Sequence, residues 1–186
     1  MKTLITAASA LALAALLPAA ASAQTAASNV NIGTTFYGTI GYADANTDHL
    51  NLGTVQGRLG ARFGEYFGVE GELGAGVTNG KTSVSGVDIK AKIQSQEAIY
   101  GVGYLPLSTN IELLARIGYG DTRVKAKASA FSVADSAKGN SWNYGVGGLY
   151  HLDDKNGLRG DYTREEYTGS NGGGANVYAI SYVRKF

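Results

Sequence analysis

Eight stretches of the chain alternate large apolar side chains with small or polar ones at a period of two. The last of them, Asn176-Val177-Tyr178-Ala179-Ile180-Ser181-Tyr182-Val183-Arg184-Lys185-Phe186, ends on an aromatic residue. A soluble domain usually trails off in a polar tail. A closed barrel uses its final strand to seal against its first and leaves no edge open. The pattern therefore predicts an all-β fold, an eight-stranded antiparallel transmembrane β-barrel.

The first stretch places Phe36, Gly38, Ile40 and Tyr42 on one face against Tyr37, Thr39, Gly41 and Ala43. The second sets Val55, Leu59, Ala61 and Phe63 against Gln56, Arg58, Gly60 and Arg62, and the third sets Phe67, Val69, Leu73, Ala75 and Val77 against Glu70 and Glu72. A fourth groups Ala98, Tyr100, Val102 and Tyr104. In the fifth, Ile111, Leu113, Ala115, Ile117 and Tyr119 oppose Glu112, Leu114, Arg116 and Gly118. Trp142, Tyr144, Val146, Tyr150 and Leu152 mark the sixth, and Leu158, Gly160 and Tyr162 oppose Arg159, Asp161 and Thr163 in the seventh. Strands of roughly 9–12 residues suit a tilted crossing of the hydrocarbon layer.

Short turns follow the second, fourth and sixth strands. Longer polar connections follow the others, at 45–49, 79–88, 125–139 and 168–175. In outer-membrane barrels the short turns face the periplasm and the long loops face outside. On that orientation Phe36, Phe63, Phe67, Tyr104, Tyr150 and Phe186 gather at the periplasmic ends, and Tyr42, Tyr119, Trp142 and Tyr178 toward the outer ends. Such girdles mark the two membrane interfaces.

Ahead of the barrel, Lys2, an apolar run from Leu4 to Leu17, and Ala21-Ser22-Ala23 read as a cleavable signal peptide over 1–23. The run is shorter than the roughly 20 residues of a spanning helix. The barrel domain is expected at 24–186, as one domain. The chain has no cysteine, so neither a lipid-attachment thiol nor a disulfide is available. Sixteen Lys and Arg stand against 15 Asp and Glu, and loss of Lys2 leaves a neutral chain. That balance argues against a nucleic-acid partner.

With the apolar faces turned to lipid, Arg58, Arg62, Glu70, Glu72, Glu112, Arg116, Arg159 and Asp161 face the lumen. Four are basic and four acidic. An eight-stranded barrel has room inside for side chains only, and a buried charge needs an opposite partner. A charge-plugged lumen is therefore expected. Gly101, Gly103, Gly118, Gly120, Gly145 and Gly147 are read as inner-face glycines that make room for arginines. A soluble sandwich would invert the faces, and would leave the girdles and terminal Phe186 unexplained.

The stretches ARFGEYFGVEGELG (61–74), YGVGYLPLSTNIELLARIGYGDT (100–122) and YGVGGLYHLDDKNGLRGDYT (144–163), with Phe186, resemble the small OmpA-like outer-membrane β-barrel family. That group includes opacity-type surface antigens and porin-family proteins. The resemblance implies residence in the bacterial outer membrane, and insertion by the barrel assembly machinery through a C-terminal signal, here Tyr178, Ile180, Tyr182 and Phe186. It also implies surface-exposed loops and roles as structural proteins, adhesins or weak pores, with no shared catalytic residues. Arg184 departs from the pattern, which usually has an apolar residue two before the final Phe.

No cofactor, metal site or catalytic set is expected. His49 and His151, the two histidines, fall on opposite sides of the membrane and read as solvated loop or interface residues. Glu70 and Glu72 read as a lumen pair, and Glu165 and Glu166 as a solvated strand end. The outer hairpins carry an excess of lysine, and Lys90, Lys92, Lys125 and Lys127 are candidate contacts to anionic glycolipid of the outer leaflet. The favoured function is a non-enzymatic barrel serving envelope structure and surface interaction. The alternative is a small passive pore.

Overall fold

In the computed structural model, residues 33–47, 50–78, 80–84, 87–128, 134–168 and 173–186 are described, with side chains for 33–47, 51–78, 93–124, 139–168 and 173–186. The expected signal peptide and His49 lie outside them. The described elements are β1 (Thr34–Thr47), β2 (Leu50–Phe63), β3 (Phe67–Gly76), β4 (Gly80–Val84), β5 (Val87–Pro106), β6 (Ile111–Ala128), β7 (Ala134–His151), β8 (Asn156–Thr168) and β9 (Gly174–Lys185).

Consecutive strands pair antiparallel, except that β3 and β4 do not pair with each other and both pair with β5. The order β3-β2-β1-β9-β8-β7-β6-β5-β4, with β3 joined to β5 and β1 to β9, closes the sheet into a ring. Because β3 and β4 occupy one position beside β5, the nine strands make an eight-stranded barrel. Closure leaves no open edge in the ring, which is what a lipid-facing sheet requires. Phe186 N–H donates to Phe36 O at 2.9 Å, so the last residue is stitched to the start of β1.

Alternation decides what faces lipid. Ile40 is 63% exposed while its neighbours Thr39 and Gly41 turn inward, and Ile117, Val146 and Ile180 are as bare on their own strands. A soluble protein would bury such residues. Here they form the greasy band of the barrel wall. The aromatics Phe63, Phe67, Tyr150 and Phe186 lie exposed at the short-turn end, and Tyr119, Trp142 and Tyr178 lie exposed toward the other end. Tyr119 and Trp142 meet edge to face, with centroids 5.4 Å apart.

The short turns are built by local chemistry. Gly64 has a φ of 65°, a left-handed conformation that glycine adopts freely, and it reverses the chain between Phe63 and Phe67. In the turn after β7, Asp153 Oδ1 accepts the backbone N–H groups of Lys155 and Asn156, each at 2.8 Å. The hydrogen bonds from Asn156 and then Lys155 hold the Asp153 carboxyl below its ordinary value.

The structure corrects two expectations. The long connections are mostly ladder: Ala45–Thr47 belong to β1, Gly80–Val84 pair with Val87–Ala91, and β6 and β7 stay paired out to Lys127 and Ala134. Only the connection after β8 keeps close to its expected span. Backbone hydrogen bonding explains the extension, because each added pair satisfies donors and acceptors that a loop leaves to water.

The second correction concerns β5. Tyr100, Val102 and Tyr104 point into the lumen, whereas Ile99 and Leu105 face out and Gly101 and Gly103 sit on the outer side. Tyr104 is therefore not a girdle residue. On the same strand a register shift between Ile93 and Ser95 changes the phase of β5, so Ile93 is buried inside. With Ala43, Ala45, Leu52, Ala175, Val177 and Ala179 it forms an apolar cluster at the outer end, against which Val124 and Tyr167 pack.

Candidate functional site: the lumen

Four strands bring six charged side chains into one continuous network. From β2, Arg58 donates through Nε to Glu72 Oε2 at 2.6 Å and through Nη1 to Asp161 Oδ2 at 2.7 Å. Arg159 of β8 donates through Nε to Asp161 Oδ1 at 2.8 Å and through Nη2 to Glu70 Oε2 at 3.2 Å, with Nη1 on Glu70 Oε1 as well. Arg116 of β6 reaches Glu72 Oε2 at 3.2 Å and Thr163 Oγ1 at 3.1 Å, with its guanidinium 4.4 Å from the centre of the Tyr100 ring. Three arginines thus meet three carboxylates. Each is almost fully buried, so the formal charges cancel where solvent cannot compensate them.

Arg62 and Glu112 form a separate pair toward the short-turn end. Arg62 Nη1 spans both Glu112 oxygens at 3.0 and 2.9 Å and lies 4.4 Å from the Tyr104 ring centre. His151 Nε2 stands 3.3 Å from Glu112 Oε2. This corrects the reading of His151 as a solvated residue, since the odd positions of β7 face inward and carry it to the lumen wall. Glu165 is corrected likewise. It is 2% exposed on the inner face, while Glu166 faces out and accepts from Tyr144 at 2.9 Å.

Tyrosines tie the network to the wall. The Tyr37 hydroxyl donates to Glu70 Oε1 at 2.6 Å and lies 2.6 Å from the Tyr104 hydroxyl. Asn143 Nδ2 donates to the Tyr100 hydroxyl at 3.0 Å. Two glycines make these rings possible. A Cβ on Gly60 would stand 2.2 Å from Tyr37 Cζ, and one on Gly118 would stand 2.6 Å from Tyr100 Cδ1. The room these two make is for tyrosine rings rather than for arginines. Glycine on the strand next to an inward tyrosine is the signal that could have found Tyr37 and Tyr100.

The four candidate lysines are placed by backbone register alone, because their side chains lie outside the described ones. Lys90 pairs with Lys127 and Lys92 with Lys125. At the end of β9, Tyr178, Ile180 and Tyr182 alternate outward and Phe186 is 78% exposed. Arg184 Nη1 donates to Asn156 Oδ1 at 2.7 Å, so the departure from the terminal pattern is anchored to the neighbouring turn.

The comparisons agree with this geometry. The model of the outer membrane protein β-barrel domain matches residues 9–186. Among solved structures, the chain is similar to Ail, the attachment invasion locus protein of Yersinia pestis, in complex with the heparin analogue sucrose octasulfate, at 18% identity and a TM-score of 0.54, covering 82% of this chain and 99% of that one. The N-terminal β-barrel domain of Pseudomonas aeruginosa OprF matches at 8% identity and 0.56, over 81% and 96% of the two chains. A major outer membrane protein from Thermus thermophilus matches at 12% and 0.57, over 83% and 100%. No curated protein matches. At such identities the structural likeness speaks for the fold, and the family match carries the assignment: the chain belongs to the outer membrane protein β-barrel domain family and resides in the bacterial outer membrane.

Proposed function

We propose that this barrel is a non-enzymatic envelope protein with a closed lumen, stabilising the outer membrane and presenting its outer hairpins for surface interaction. One observation carries the reading: the central ionic network spans four strands of the ring, and the apolar cluster lies beyond it toward the outer end. An ion crossing this path would have to break buried pairs and then enter an apolar layer. Both steps are costly. Single-channel recording in planar bilayers tests it. No stable conductance steps are expected, and reproducible open levels would instead establish a passive pore.

The hairpin lysines support a polyanionic surface partner, with the glycolipid of the outer leaflet as the chemistry nearest to hand. Lys90 opposite Lys127 and Lys92 opposite Lys125 place like charges on paired positions, an arrangement that costs stability unless an anion bridges them. Ail, a barrel of the same fold, is known in complex with a sulfated saccharide. Replacing Lys90, Lys92, Lys125 and Lys127 by Gln should lower glycolipid co-purification, and an unchanged yield would remove this role.

Tyr178, Ile180, Tyr182 and Phe186 serve as the recognition signal for the barrel assembly machinery in this reading. Phe186→Ala should slow insertion without changing the stability of barrels that do fold. Processing after Ala23 is expected to release the mature chain at Gln24, which mass measurement of the membrane form checks.

A further inference from the structure

Beyond the central network one buried carboxylate among the described residues, Glu165, has no cation paired with it. Glu165 takes part in none of the ion pairs among the described residues. Arg58, Arg116 and Arg159 are matched by Glu70, Glu72 and Asp161, and Arg62 is matched by Glu112. An ionised Glu165 would therefore add a negative charge with no cation paired to it, directly opposite Ala175 of the apolar cluster. Burial of an unpaired carboxylate is among the most costly arrangements a fold can hold.

Its surroundings offer donors and one idle acceptor. Oε1 receives Gln96 Nε2 from β5, and Oε2 receives the Tyr167 hydroxyl at 3.2 Å. Asn143 stands directly opposite on β7. Directly opposite residues hold their Cβ atoms about 4.5–5.5 Å apart, within hydrogen-bonding reach of a glutamate and an asparagine. Asn143 is 1% exposed, its Nδ2 is committed to Tyr100, and its Oδ1 has no partner. A carboxylate cannot satisfy that oxygen, whereas a carboxylic acid can.

We infer that Glu165 is a proton-binding site, its acid O–H donating to Asn143 Oδ1. A metal ion fits less well, because both carboxyl oxygens already face an N–H or O–H donor. The charged groups acting on the site are Glu72 from β3 and Arg116 from β6, with the Tyr167 hydroxyl on its own strand and the Tyr100 hydroxyl of β5 bonded to Asn143. At the outer end β1, β2 and β9 contribute apolar residues of the cluster, including Ala43, Leu52 and Val177. Loss of the proton puts a bare charge beside this cluster. The site thus latches the outer end of the lumen in its neutral form.

Infrared spectra of the folded barrel in detergent test the assignment. A protonated-carboxyl band is expected to persist above the pH at which an ordinary glutamate ionises, about 4.3, and to vanish in Glu165→Gln. The folded state then holds a proton that the unfolded chain releases near 4.3. Stability is accordingly greatest below that pH and falls as pH rises to the folded titration point, read as a drop in unfolding temperature. Glu165→Gln should lack this fall, and Asn143→Ala should move the band's titration to lower pH. Absence of the band in the wild type, the same pH dependence in Glu165→Gln, or a Glu165-dependent rise in unfolding temperature with added sodium or calcium would each overturn the proposal. None of these readouts depends on whether the barrel conducts.

Discussion

Arg159 shows how much one side chain can carry in a narrow lumen. It is almost fully buried and holds Glu70 and Asp161 together. Arg159→Ala leaves Glu70 without its paired cation and Asp161 with Arg58 alone, and should lower unfolding free energy by about 3–5 kcal/mol in urea titrations of the folded barrel. Glycines give a sharper contrast. Gly60→Ala would drive a methyl group into the Tyr37 ring, whereas a Cβ on Gly57 meets only Thr39 O at 3.6 Å. Gly60→Ala should cost about 1–3 kcal/mol by the same titration, and Gly57→Ala much less. The eight charged residues were legible in the sequence because each occupies the polar parity of a clean alternating strand. Glu165, His151 and the β5 tyrosines Tyr100 and Tyr104 were not, since their inward aim depends on how far the alternation runs past the recognised strand and on partners contributed by distant strands.

At the scale of the strand, length separates membrane from projection. About 9–11 residues of tilted strand cross the hydrocarbon layer. β5 has 20 residues, and β6 and β7 have 18 each, so the β4–β5 and β6–β7 hairpins continue as ladders beyond it. The pairing of Phe67–Gly74 with Gln96–Gly103 closes the ring without help from β4. Deleting residues 80–91 should therefore leave a barrel that still shows heat-modifiable migration on detergent gels, and loss of that shift would mean the hairpin is needed for closure. The sequence misrepresented this region for a physical reason. Lysines, serines and glycines look like loop, yet nothing in composition prevents them from pairing, and the bulge at Ile93/Ser95 carries no Gly or Pro to announce it. In the lower half of β5 hydrophobicity also points the wrong way: Tyr100 and Tyr104 go inside because their hydroxyls find partners there, and glycines remain outside.

For the whole molecule, the arrangement inverts the soluble rule: apolar residues cover the outside and the paired ionic side chains lie inside. Strand period, girdles and closure all express that inversion, and the closed ring with β1 paired to β9 makes it geometrically complete. The chain contains no cysteine, so a single nitroxide label can be placed at will. The decisive measurement is the collision rate of such labels with oxygen and with a water-soluble nickel complex, for barrels reconstituted in phospholipid bilayers. Labels at Ile40, Leu59, Ile117 and Ile180 should meet oxygen freely and nickel hardly at all, with the two rates alternating residue by residue along β9. High nickel access at those four positions would place them in water and contradict the account at its root.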